Sequence, residues 1–353
     1  MERRRVPGEN LQRGERDCDG GQTSQSGGSR IGALKRAVTT ALKLSPLAGV
    51  AASLAACSTV GVLNTIEPKF GVVTTRDIVY QAGDRGGLDV YRPRGANGST
   101  PVVVFFYGGG WDSGRKSDYS FIGDALASKG FVTVIPDYRI YPQVRWPAFL
   151  EDNANAVRWA RDHAAEFGGD PGKLFLAGHS AGAYNAVMLS LDRRWLAAVG
   201  MDPRRDLRGT VGLAGPYDFL PLHTQELKAI FGPPQTLPQT QPITYVDGHE
   251  PPLFLATDAD DKVVDPGNTT RLAEKVRAVG GSVETKIYPG LSHALLLGAV
   301  AAPLRFLAPV LKDMTAFING QLDPHAKDGA HASVSTRSLR RGAKAAPMAE
   351  ARA

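Results

Sequence analysis

The run Lys173-Leu-Phe-Leu-Ala177 leads straight into Gly178-His-Ser-Ala-Gly182, and a segment with helical spacing, Ala181–Leu191, follows. Few short patterns constrain a fold more. A serine raised on a sharp turn needs a strand before it, a helix after it, and neighbours small enough for the turn to close. Gly178 and Gly182 meet the last demand, and Ala181 keeps the helix start uncrowded. Ser180 is therefore a candidate nucleophile, with the backbone N–H of Ala181 directed at a reacting oxygen. The local order strand–turn–helix belongs to an α/β sheet, where ligands gather at the carboxyl ends of the strands.

The rest of the middle region agrees. β-rich runs are predicted at Asp77–Gln81, Leu88–Tyr91, Val102–Tyr107, Val132–Pro136, Lys173–Ala177, Val211–Ala214, Leu253–Ala256 and Val283–Tyr288. Several are continuously apolar, as parallel strands covered on both faces should be. Helical spacing fills Ser117–Lys129, Pro147–Phe167, Ala181–Leu191, Pro266–Val279 and Leu304–Ile318. No helix separates the first two runs, and Asp84-Arg-Gly-Gly87 suits a hairpin turn. The expectation is a mainly parallel eight-stranded α/β sheet with an antiparallel start and helices on both faces. The Pro-rich, irregular stretch Asp218–Glu250 is expected to form a small cap.

Charge and cysteine content narrow the function classes. The net charge of +6 resides at the ends: residues 1–43 carry nine Lys/Arg against five Asp/Glu, and residues 325–353 six against two. A basic balance confined to the ends argues against nucleic-acid binding by the folded part. The two cysteines, Cys18 and Cys57, lie outside the α/β region, and the seven histidines lack helical ligand spacing. Neither a disulfide framework nor a metal site is expected.

Residues 1–30 are rich in Arg, Gly, Ser and Gln and lack apolar periodicity, the composition of a disordered extension. Lys35, Arg36 and Lys43 then precede a thirteen-residue apolar run, Leu44–Ala56. That layout fits an export signal and is too short for a bilayer core of ~30 Å. Its end, Leu54-Ala55-Ala56-Cys57, resembles the lipobox of bacterial lipoproteins, which implies a lipid on Cys57, membrane attachment, and a location facing the periplasm or cell surface; the alternative is a cytoplasmic protein. About thirty residues precede the charged stretch, and a start near Val38 would give an ordinary signal length. The organisation expected is an extension with signal (1–57), a catalytic domain (70–320) and a disordered basic tail (322–353).

A second motif stands upstream. Val102–Tyr107 is followed by Gly108-Gly-Gly-Trp111, a glycine run directly after a strand. Such a run lets backbone N–H groups approach a ligand, and Gly109 and Gly110 are the candidate donors for an oxyanion hole. No Gly-Lys-Ser/Thr follows, so a phosphate-binding P-loop is excluded. Taken together, Tyr107-Gly-Gly-Gly-Trp-x-x-Gly114, Gly178-His-Ser-Ala-Gly182 and Asp137-Tyr-Arg139 resemble the carboxylesterases of the α/β-hydrolase superfamily. The similarity is to the hormone-sensitive-lipase-like and feruloyl/acetyl-esterase-like branch, which includes kynurenine formamidases, and covers roughly residues 70–320. That branch usually has His before its three glycines. Here Tyr107 stands in its place, which leaves the support of the loop open and not the reaction.

The resemblance implies an α/β-hydrolase fold, a Ser-His-Asp triad, an acyl-enzyme and no cofactor. Triad order in this fold is Ser, acid, His. His293, in a loop beyond the last predicted strand, fits the base better than His249, which precedes the acid strand; His179 is expected to point away and support the turn. Four carboxylates follow Leu253–Ala256: Asp258, Asp260, Asp261 and Asp265. The segment Asp260-Asp-Lys-Val-Val264 resembles the Asp-Asp-Arg-Val-Val stretch of prolyl-oligopeptidase-like hydrolases, which favours Asp260 as the acid, with Asp261 as the fallback. Trp111, Tyr138, Trp146 and Tyr217 follow strand ends and are candidate pocket residues, with Tyr141 beside them. With little cap, small or moderate esters are the expected small-molecule substrates. Arylformamidase, amidase or peptidase chemistry on the same residues is one alternative. A non-catalytic lipoprotein that binds small molecules is another, although it would have no use for Ser180, His293 and an acid in order.

Overall fold

The computed structural model describes residues 61–323. The expected extension and signal (1–57), with Cys57, and the tail from 324 onward lie outside them. Eight strands form one sheet: β1 Val72–Val79, β2 Gly87–Pro93, β3 Thr100–Phe106, β4 Val132–Pro136, β5 Gly169–His179, β6 Gly209–Leu213, β7 Leu253–Asp258 and β8 Val283–Tyr288. Their order across the sheet is β1-β2-β4-β3-β5-β6-β7-β8. β1 pairs antiparallel with β2, and β2 antiparallel with β4, while every later pair is parallel.

The apolar runs become strands because both faces of the central sheet are covered. On β3, Val103 and Phe105 enter one buried cluster, while Val102, Val104 and Phe106 enter another on the opposite face. β5 repeats this alternation, with Phe175 and Ala177 on the first face and Leu174 and Leu176 on the second. Helices Ala148–His163 and Ala181–Leu191 pack against these strands, and Gly267–Ala278 covers β7 and β8.

The edge strand departs from expectation. β1 begins at Val72 rather than Asp77, and most of its side chains are exposed or half-buried. An edge strand on a solvated face has no apolar run to mark it; its backbone pairing with β2 defines it. That pairing is broken by a bulge between Thr75 and Ile78, where Asp77 takes φ +57°. The cap segment carries a helix at Gln225–Phe231 and 3-10 turns at Pro234–Thr240 and Pro242–Tyr245. Among the described residues no helix is long and apolar enough to cross a membrane.

Candidate active site

Ser180 sits where β5 ends and helix Ala181–Leu191 begins, with φ +55° and ψ −124°. A non-glycine residue in that region is strained by roughly 1–3 kcal/mol and persists only when its surroundings hold it. Here the Ser180 N–H donates to Leu213 O at 2.8 Å, and its carbonyl accepts from Tyr184 N–H at 3.1 Å. The flanking glycines are steric necessities. A Cβ on Gly178 would lie 2.2 Å from Gly182 O, and one on Gly182 would lie 2.0 Å from Phe106 O. The turn thus wedges between β3 and its own helix, which lifts Ser180 to the carboxyl edge of the sheet. The helix N-terminus adds a favourable field for negative charge at Ala181.

The glycine loop after β3 faces this turn. Gly109 and Gly110 take φ +125° and +59°, and a Cβ on Gly109 would lie 2.4 Å from Ser113 O. Gly109 O accepts from Asp112 and Ser113 N–H at 3.1 and 3.0 Å. The N–H groups of Gly109, Gly110 and Ala181 donate to no acceptor among the described residues. Tyr107 answers the question left by the missing histidine. Its ring stacks between Tyr119 at 5.2 Å and Tyr138 at 4.8 Å. Its hydroxyl donates to Asp137 Oδ1 at 2.7 Å and accepts from Arg85 Nη2 at 2.6 Å, and Arg85 also reaches Gly114 O at 2.6 Å. The loop is therefore braced at its start and at its return, by a phenol network in place of an imidazole.

His293 begins the short helix His293–Gly298, whose cap is Ser292. Its Nδ1 lies 2.7 Å from Oδ2 of Asp261. The Asp261 side chain is fully buried, and its Oδ1 accepts from the Val263 and Val264 N–H groups at 2.8 and 3.1 Å. Burial alone would push this carboxyl up, but hydrogen bonds from His293 and the two amides, with the imidazole's charge, hold it below the ordinary range. The expected acid, Asp260, is not at the imidazole. It is exposed, and its N–H donates to Asp258 Oδ2 at 3.2 Å. The turn after β7 directs Asp261 inward and its neighbour outward.

His179, the residue before the serine, packs its ring 4.7 Å from that of His293, and Nε2 lies 3.0 Å from the His293 carbonyl oxygen. Burial, with the neighbouring His293, pulls its pKa down to about 3, so it is neutral. His249 lies elsewhere, exposed, with its N–H on Asp247 Oδ1.

A cavity of about 550 Å³ opens at Ser180, Ala181 and Gly110, within the usual range for small-molecule sites. Of the four aromatic residues expected to line it, Trp111 does. Tyr138 is buried against Tyr107, Trp146 packs edge-on to Trp195 at 6.2 Å, and Tyr217 is buried beneath Gly212 and Gly215. Tyr138 and Tyr217 are core, and Trp146 is half-buried against it. The wall comes instead from Phe219, Leu220, Leu227 and Ile230 of the cap and from Val263 and Val264 beside Asp261. The signal for the cap wall was present in Leu227, Ile230 and Phe231, which have i, i+3, i+4 helical spacing behind the capping Thr224.

The family model BD-FAE matches residues 88–276, more than half of the chain. The chain belongs to the BD-FAE family. Among individual proteins it is similar to Esterase LipC of Mycobacterium tuberculosis, 29% identical over 65% of this chain and 62% of that one. It is also similar to a probable isoprenylcysteine alpha-carbonyl methylesterase of Arabidopsis thaliana, 27% identical over 64% of this chain and 52% of the relative. The chain thus spans between half and two thirds of the length of these curated relatives. Among solved structures, Esterase B from Lactobacillus rhamnosis shares the fold with a TM-score of 0.67 at 20% identity, covering 86% of this chain and 99% of that one. The thermostable carboxylesterase EstE1 does so with a TM-score of 0.64 at 21% identity, covering 76% and 96%.

The BD-FAE match takes in the glycine loop, the Ser180 turn and Asp261. His293 falls beyond it. In this BD-FAE member the histidine's place is therefore read from geometry, through its bond to Asp261 and its packing on His179.

Proposed function

We propose that the protein is a serine esterase that hydrolyses carboxylic esters of small to moderate size. The observation that carries this reading is the Asp261–His293 pair, packed on His179, the residue that precedes a serine held at positive φ. Asp261 holds the Nδ1–H tautomer of His293, which leaves Nε2 free to take the Ser180 proton as Oγ attacks the ester carbonyl. The oxyanion is stabilised by the Ala181 N–H and by the Gly109/Gly110 loop, with a single donor contributing roughly 10²–10³ in kcat. The protonated imidazole then passes its proton to the leaving alcohol. Water activated by the same histidine releases the acid from the acyl-enzyme. The cavity of about 550 Å³, with its apolar wall, accommodates substrates of that size. Export is part of the proposal, with Lys35–Cys57 as the signal and Cys57 as the lipid-bearing residue; the N-terminal mass of the mature protein tests it.

Hydrolysis of p-nitrophenyl acetate, butyrate and decanoate, compared with Ser180→Ala, tests the esterase. Turnover that falls by at least about 10⁴ in the variant is expected. Equal rates for the two proteins would remove Ser180 from the chemistry.

A further inference from the structure

The cavity in front of Ser180 is unevenly charged. Four carboxylates reach its wall, from Asp112, Asp218, Glu226 and Asp265, against one guanidinium, Arg271. Arg271 is already occupied: Nε lies 2.6 Å from Asp218 Oδ2, Nη1 3.1 Å from Asp265 Oδ2, and Nη2 donates to Asp218 O at 2.7 Å. Asp112 and Glu226 pair with no cation among the described residues. His223, the remaining titratable group on the wall, adds at most one positive charge. Negative charge therefore exceeds positive whichever way that imidazole titrates.

The two unpaired carboxylates share the cavity wall with two aromatic residues. Trp111 and Phe219 line the same cavity with ring centroids 6.4 Å apart and planes 21° from parallel. Asp112 directly follows Trp111, and its Oδ1 would lie 3.5 Å from a Cβ on Gly110. That places a carboxylate at the glycine loop, on the rim of the cavity. A wall with an excess of carboxylates among aromatic and aliphatic side chains suits an alkylammonium group, which gains direct charge attraction there and buries its methyl groups against apolar surface. The same carboxylates repel an anion.

We propose that the preferred substrates are esters bearing a positively charged ammonium group, on either the alcohol or the acyl side, and that anionic esters are rejected. This rests on the esterase reading above and adds the substrate class. Because Asp112 and Glu226 are exposed, the preference is screened by salt.

The experiment compares charged esters with uncharged carbon isosteres by pH-stat, using the full chain. Acetylcholine is set against 3,3-dimethylbutyl acetate, and methyl 4-(trimethylammonio)butyrate against methyl 5,5-dimethylhexanoate. In at least one pair kcat/KM is expected to favour the cation by about tenfold at 20 mM salt, narrowing at 0.5 M salt and in Asp112→Asn/Glu226→Gln. The readout is the ratio within a pair, which a general loss of activity leaves unchanged. Ratios near one in both pairs, with all four esters cleaved, would overturn the charge preference and leave the esterase standing. Failure to cleave any of them or p-nitrophenyl acetate would overturn the esterase reading, and this inference with it.

Discussion

Asp260 and Asp261 are adjacent, chemically identical and oppositely disposed, so exchanging each for asparagine isolates position from chemistry. Asp261→Asn keeps the shape of the side chain, and its carbonyl oxygen can still accept from the Val263 and Val264 N–H groups. What changes is the face toward His293. An amide NH₂ there forces the imidazole to carry its proton on Nε2, where it can no longer take one from Ser180. The charge is lost as well. A carboxylate and an imidazolium with centres about 4 Å apart attract by about 4 kcal/mol at an effective dielectric of about 20, or roughly 10³ in rate at 1.36 kcal/mol per tenfold. The wrong tautomer brings the expected loss in kcat toward about 10⁴. Asp260→Asn, at an exposed side chain, should stay within about twofold. The assay is kcat for p-nitrophenyl butyrate, with circular dichroism to confirm folding. Near-normal turnover by Asp261→Asn, or a collapse in Asp260→Asn alone, would refute the assignment drawn from the His293–Asp261 bond.

Two further outcomes concern stability. Asp124, on the helix Ser120–Ala127, is buried, its carboxyl oxygens find no hydrogen-bond partner among the described residues, and burial chiefly lifts its pKa from 3.8 to about 6. A folded value above the unfolded one gives a contribution present below pH 3.8 and lost as pH rises through about 6. Asp124→Asn should therefore raise stability by of order 2–3 kcal/mol at pH 8 and little at pH 4; equal shifts in urea unfolding at the two pH values would contradict this. Tyr107→Phe deletes the hydroxyl shared by Arg85 and Asp137, and a cost of about 1–3 kcal/mol is expected together with reduced kcat as the glycine loop loosens. An unchanged urea midpoint would mean that ring stacking alone braces the loop.

What the sequence made legible, and what it hid, follows from which physical demand each residue meets. The central strands are readable because a strand covered on both faces must be apolar at every position, as Val102–Phe106 is. β1 is not, since one exposed edge strand needs only backbone pairing. The Ser180 turn is readable because its sterics admit no side chain at Gly178 or Gly182. The carboxylate that meets His293 is not, because in a tight turn successive side chains diverge and composition carries no record of which faces inward. Asp261 is singled out by its bond to His293 and by the Val263 and Val264 amides that close the turn over it. Aromatic residues at strand ends mislead for a similar reason. Tyr138 has its hydroxyl on Tyr107 O at 2.8 Å, so its ring serves the glycine loop from beneath. The pocket wall is left to a cap segment whose apolar residues had no strand or long helix to announce them. Residues that build this site from below are thus set by the sheet, and the cavity wall is set by the glycine loop and the cap, where Asp112 and Glu226 pair with no cation among the described residues.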